Sequence, residues 1–434
     1  IRHSSFVIRH SSFVIRHSPR SARLTMSTAA VLGTYDTKGQ ELAFVAATLR
    51  QLGLATLEID VGSFDAPAAP PDVPREKVLA ALGADANAAA ILARRDRGEC
   101  VALMARAATA YVGQLVSEGK IHGLLSLGGG GGTAIATAAM RALPIGFPKV
   151  MVSTLASGQT AHYVGTVDIV MIPAIVDVSG LNRISRTIFE NAAGALAGLV
   201  SAAERRRQQP SADKPIIVAS MFGNTTGCVT EARRIVEAAG YEVLVFHATG
   251  TGGRAMESLI ASGLVAGVLD ITTTEWADEL AGGVLSAGPE RLDAAGKMGI
   301  PAIVTPGCLD MVNFGEPATV PPRYAGRTLY RHNPQVTLMR TNPEECARLG
   351  RILAEKLNRY RGPVTVLLPL GGISVISAPG QPFHDPAADR ALFESLKTHL
   401  RPDIPVVELP AAINDPAFAR ACADHLLARL KPVS

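Results

Sequence analysis

The sequence predicts an α/β protein built from two Rossmann-like, doubly wound domains with mostly parallel sheets. From Met26 onward, short Val/Ile/Leu runs alternate with alanine-rich helical stretches, the pattern of strands joined by crossover helices. The runs are continuously apolar rather than alternating, as in strands covered on both faces. The pattern also starts twice, on either side of the polar, proline-bounded stretch ERRRQQPSADKP (204–215), a linker candidate. A chain of 434 residues is long enough for two or three domains. The expected division is 26–205 and 206–434.

Residues 1–25 stand apart. They open with the perfect repeat IRHSSFV-IRHSSFV-IRHS, too few heptads for a coiled coil. Their Arg- and Ser-rich, acid-free composition is that of a transit peptide. Identical repetition instead favours translated repetitive DNA ahead of Met26, so this extension is left out of the fold. In the first domain, 29–33, 55–60, 122–128, 149–154 and 168–172 read as strands. In the second, 215–220, 241–247, 266–271, 301–305, 363–369 and 405–409 do so. Each half opens with a strand, a glycine-containing loop (GTYDTKG or SMFGNTTG) and a helix, about the size of one βαβ step. The connection from Gly62 to Lys120 exceeds an ordinary crossover and reads as an extra helical layer, or else a lid.

Composition excludes several classes of function. The five cysteines are scattered with no metal or redox spacing, which fits a reducing cytoplasm. No run approaches eighteen uninterrupted apolar residues, so no membrane span is expected. The formal charge of +4 suggests an anionic partner, but all five arginines of residues 1–25 belong to the extension. The remainder carries 37 basic residues against 38 acidic ones, which argues against nucleic acid.

The strongest local signal is LLSLGGGGGTAIATAAMRAL, in which a buried strand runs into Gly128, Gly129, Gly130, Gly131 and Gly132 before Thr133 opens an alanine-rich helix. Glycine amides at a helix start favour phosphate. No Walker lysine follows, and the next strand ends in Val152-Ser153-Thr154 without the acid that grips a ribose. In an open parallel sheet, loops gather at the carboxyl edge. There Thr34, Asp36, Thr37 and Lys38, with Asp60 and then Thr154, Ser157 and Gly158, would join the glycines, and Asp36 or Asp60 could hold Mg²⁺ or a ribose. The second half places His247, Arg254, Glu275, Asp310 and His332 after strands, candidates for acid–base work or substrate binding. Threonine and aspartate there also serve as ordinary helix caps. Cys308 is disfavoured as a nucleophile.

GTYDTKG, SLGGGGGTAIATAAMRALPIGFPKVMVST, VDVSGLNRIS, VFHATGTGGRAMESLI, LDITTTEWADELAGGVLSAGPERL, PGCLDMVNF and YRHNPQVTLMRT together resemble one family. It is the ATP-binding family named for the N-terminal region of the tomato protein that inhibits tomato mosaic virus replication. The resemblance covers Met26 to the C-terminus and implies two Rossmann-like domains and ATP binding, through Gly128–Thr133 and Thr34–Lys38. The glycine run lacks the serine common in that family. Plant relatives continue into a barrel region resembling phosphoenolpyruvate hydrolases, so a separately encoded partner of that kind is expected. The resulting expectation is a cytoplasmic, homo-oligomeric, ATP-dependent enzyme acting on a small, carboxylated metabolite that faces the second domain across the cleft. The alternatives are a non-catalytic, nucleotide-gated protein-binding module and, disfavoured by the missing fingerprint, a nicotinamide-dependent dehydrogenase.

Overall fold

The computed structural model describes residues 26–67, 69–83, 87–209 and 213–430; the repeat extension 1–25 lies outside them. The first sheet collects β1 (Thr28–Gly33), β2 (Ala55–Asp60), β3 (Gly123–Gly128), β4 (Lys149–Ser153) and β5 (Val170–Pro173). They are all parallel, in the spatial order β2-β1-β3-β4-β5. Helices α1 (Tyr35–Gln51) and, at the end of the domain, α7 (Arg183–Gln208) cover one face. The other is covered by α2 (Arg75–Ala80), α4 (Arg97–Ser117) and α5 (Gly130–Arg141). Short helices α3 (Ala88–Arg94) and α6 (Ala161–Val164) complete this half.

The long connection is therefore a helical layer. Its main helix, α4, is capped by Asp96, whose side chain accepts the Glu99 N–H. It is long and apolar enough to cross a membrane by composition, but its stripe Leu103, Met104, Ala107, Ala108, Tyr111 and Val112 is buried in the domain core. The stretch read as a linker begins as the last turn of α7, which ends at Gln208.

The second sheet contains β6 (Ile216–Met221), β7 (Glu242–His247), β8 (Val265–Thr272), β9 (Ala302–Gly307), β13 (Val364–Pro369) and β14 (Val406–Leu409). These are parallel in the order β14-β13-β9-β8-β6-β7. Helices α8 (Thr226–Ala238) and α14 (Pro416–Leu427) line one face. On the other lie α9 (Thr251–Ala261), α10 (Glu275–Ala281), α11 (Ala294–Met298), α12 (Pro343–Leu357) and α13 (Pro386–His399). All eleven predicted strands form. The sequence reading did not foresee a third, antiparallel sheet of β10 (Met311–Phe314), β11 (Leu329–Asn333) and β12 (Val336–Arg340), in the order β10-β12-β11.

The two halves touch where the Thr166 and Ser258 hydroxyls meet at 2.9 Å. Residues 141–145 at the end of α5 and Ser258, Ala261 and Ser262 at the end of α9 line the adjoining hollow.

Candidate functional site in the first domain

In the strand order β2-β1-β3-β4-β5, chain connections leave β1 and β3 in opposite directions. Their loops therefore part at the carboxyl edge, the place where open α/β sheets bind ligands. A hollow of about 410 Å³ lies there, and only first-domain residues line it. From β1 come Thr34, Asp36, Thr37 and Lys38; from β3 come Gly128, Gly129, Gly131 and Gly132.

The β1 loop is held by local bonds. Thr37 and Lys38 donate their N–H groups to the Thr34 carbonyl, and α1 kinks at Lys38 (φ −130°, ψ 16°). The Lys38 ammonium has no partner among the described residues. Asp36 Oδ2 accepts the N–H groups of Ser63 and Phe64, each at 3.2 Å, tying this loop to the end of β2. Asp36 Oδ1 is buried without a partner. Gly62 is required here, because a Cβ would sit 2.7 Å from the Asp36 carboxyl carbon.

The glycine run behaves differently. None of its residues has positive φ. A Cβ at Gly128 would press on Gly132 Cα at 3.3 Å, but at Gly129, Gly130, Gly131 and Gly132 it would meet nothing closer than 3.4 Å. Neither conformation nor packing requires glycine at these four positions. The first-turn amides of α5 have no intrahelical partner, as at any helix start, and no side chain caps them. The positive end of the helix dipole adds to their donor character.

The other predicted residues of this edge support the loops from behind or beside them. Thr133 is buried and shares a 2.7 Å hydrogen bond with Ser153 Oγ. Asp60, also buried, accepts the N–H groups of Tyr35 and Gly62, and burial raises its pKa. Thr154 borders Gly129, whereas Ser157 and Gly158 lie in an exposed turn outside the hollow's lining. Sequence reasoning missed Ser63, Phe64, Arg97 and Asp177, which complete the lining together with Cys100, Val101 and Ile135. Arg97 was legible in principle: the Asp96–Glu99 capping pattern starts a helix that precedes β3, and such a helix begins at the carboxyl edge.

In the second domain the five candidates are not brought into one cleft. Glu275 is 1% exposed and accepts the N–H groups of Gly250 (2.7 Å) and Gly253 (3.1 Å) and the Arg291 Nε–H (2.7 Å). The glycines of TGTGG thus cradle a buried carboxylate; Gly250 has φ +80°, and a Cβ on Gly253 would overlap Glu275. Arg291, missed from sequence, is the centre of this network and also grips both Asp270 oxygens at 2.6 Å and Glu257 at 3.3 Å. Asp310 is fully buried and accepts the Ser374 hydroxyl; burial raises its carboxyl to about 6. Arg254 is exposed and bonded to the Ser286 carbonyl, His247 is exposed at the end of edge strand β7, and His332 is exposed on β11. Burial pushes the Cys308 thiol well up, as expected for an inert cysteine.

The physical reason is the antiparallel sheet. The corresponding crevice between β6 and β8 is occupied: Met311 of β10 takes contacts from Asn224 and Thr274, and Phe222 packs on the cluster of Cys308, Met311, Leu338, Ile376 and Phe383.

Comparison with known proteins agrees with this two-part architecture. Residues 27–205 match the N-terminal domain of the Uncharacterised protein family (UPF0261), and residues 214–430 match its C-terminal domain. The chain belongs to this family. A UPF0261 protein of Clostridium tetani is 48% identical over 92% of the chain and 97% of its own length. Another, from Rhizobium meliloti, is 49% identical over 91% and 97%. The ToMV resistance protein Tm-1(GCR237) of Solanum lycopersicum is 43% identical over 76% of this chain, which spans 44% of the tomato protein.

Proposed function

We propose that the UPF0261 chain binds a nucleoside triphosphate, ATP, in the first-domain hollow. The observation that carries this is the run Gly129–Gly132, kept free of side chains where neither backbone conformation nor packing calls for it, at the uncapped start of α5. Phosphate oxygens would accept from the Gly130–Gly132 amides. Lys38 and Arg97, both on the lining, would neutralise their charge. The partnerless Asp36 Oδ1 is the oxygen suited to Mg²⁺, which is commonly held by one or two carboxylates together with substrate phosphates. Phe64, Val101 and Ile135 offer apolar surface for a base.

In this reading ATP powers a reaction on a small, carboxylated metabolite in the cytoplasm. A homo-oligomer, or a separately encoded hydrolase-like partner, would supply groups that the first-domain lining lacks. The second reading is a nucleotide-gated binding module. It draws support from the absence of histidine and glutamate from that lining. Incubation with ATP, Mg²⁺ and a metabolite pool separates the two: an enzyme turns ATP over, whereas a module binds it saturably and returns it unchanged. Tighter binding of NADH than of ATP would overturn both readings in favour of the dehydrogenase.

A further inference from the structure

A second hollow, of about 320 Å³, opens beside the carboxyl ends of β13 and β14, between the loop that follows β13 and one face of α13. It is far in topology from the filled β6/β8 crevice and shares no lining residue with the first-domain hollow. On one side stands Asp389, which is 9% exposed. Its Oδ1 accepts from Arg340 at 2.6 Å, and its Oδ2 has no protein partner among the described residues. Arg340 is itself buried and fixed by the Phe383 and Asp385 carbonyls, so the carboxylate is held in place rather than free to swing.

Next to Asp389 on α13 stands Arg390, and one turn beyond that Glu394, both exposed and both without an ion-pair partner among the described residues. His384 enters from the loop, its Nδ1 3.1 Å from the Ser377 carbonyl, which leaves Nε2 for a ligand. The Lys397–Glu408 pair closes the far end at 2.5 Å, and those two charges cancel, as do those of Asp389 and Arg340. Phe393 supplies apolar surface between the charged groups.

We infer that this hollow binds a small zwitterion, an α-amino acid or an ammonium–carboxylate of similar size. An ammonium group would be taken by the open oxygen of Asp389 together with Glu394. The carboxylate would be taken by Arg390, whose planar fork matches its two oxygens, with His384 beside it. A dication would leave Arg390 facing like charge, and a dianion would face Glu394 and the open oxygen of Asp389. One cation and one anion without an ion-pair partner among the described residues, Arg390 and Glu394 on the same wall, are what fit a zwitterion. This inference is independent of the nucleotide reading, because the two hollows have separate linings.

The test is thermal-shift and equilibrium binding of the full chain with an equimolar mixture of the twenty common L-amino acids, with putrescine and succinate as dication and dianion probes. The amino-acid mixture should raise the melting temperature, and its single components should then identify the ligand; putrescine and succinate should not. Arg390→Ala and Glu394→Ala change exposed side chains and should weaken that binding at least tenfold while circular dichroism stays unchanged. Gly131→Val, in the other hollow, should leave it intact. No response to the mixture, a response to putrescine or succinate alone, binding that survives both α13 variants, or binding lost with Gly131→Val would each overturn the inference.

Discussion

Gly131 and Gly253 lie in similar strand–glycine–helix contexts, yet the protein needs one for its fold and the other only for empty space. A Cβ on Gly253 collides with the Glu275 carboxylate, whereas a Cβ on Gly131 meets Val101 at an ordinary 3.4 Å. Gly253→Ala should therefore destabilise the chain by about 2–4 kcal/mol in urea denaturation, as overpacking against a buried polar network does. Gly130→Val should leave the melting temperature nearly unchanged and abolish ATP binding. Lys38→Ala and Arg97→Ala should each weaken ATP about 10- to 100-fold, the scale of one charge-assisted hydrogen bond, with the larger losses at low salt. Isothermal titration at two salt concentrations checks this. The glycine run and Lys38 were readable because glycine clusters and loop lysines are rare enough to signal. Arg97 was not singled out although the Asp96–Glu99 cap marks the helix start that carries it, and nothing local marks Asp177, which joins the lining only through the fold.

At the scale of elements, every parallel strand was legible, since a strand buried on both faces must be apolar throughout. The antiparallel sheet was not. TPGCLDMVNFG and YRHNPQVTLMRT read as polar loops because β11 is exposed along most of its length and β12 alternates weakly around a turn at Pro334. Of the second-domain candidates, Asp310 and Glu275 are buried, while His247, Arg254 and His332 stay exposed. Glu275 and Asp270 instead converge on Arg291, the only described cation in their network. Replacing Arg291 with Met leaves the buried Asp270 and Glu275 and the half-buried Glu257 without their cation and should cost about 3–5 kcal/mol by denaturant unfolding.

The α10–β10 junction makes a pH prediction. Asp278 is fully buried and accepts from Leu285 N–H, Asn313 N–H and Asn313 Nδ2–H; burial raises its carboxyl to about 7. The folded carboxyl holds its proton to higher pH than the unfolded one. Between about pH 4 and 7 the native state binds more protons, so this group's contribution to stability falls as pH rises through that window. The stability of wild type relative to Asp278→Asn should therefore decline by up to about 1.4 kcal/mol per pH unit across the window and level off above it. A difference that rises with pH would contradict the assignment.

At the scale of the whole molecule, two similar sheets have been put to different uses. Both have a strand-order reversal, β1/β3 in one and β6/β8 in the other. The first leaves its crevice open beneath an uncapped helix, and the second packs β10–β12 into its own. Both halves begin with the same strand–loop–helix device, but the first adds the helical layer between β2 and β3, and the second adds a sixth parallel strand and the antiparallel sheet within residues 308–340. A body with nearly balanced charge also has no general affinity for anions, so any ATP binding must come from placed groups. The most direct test is isothermal titration of ATP with Mg²⁺ into the full chain and into its Gly131→Val variant, with folding checked by circular dichroism. The account predicts one saturable site per chain in the wild type and none in the folded variant; no binding to the wild type, or equal affinity in both, would contradict it.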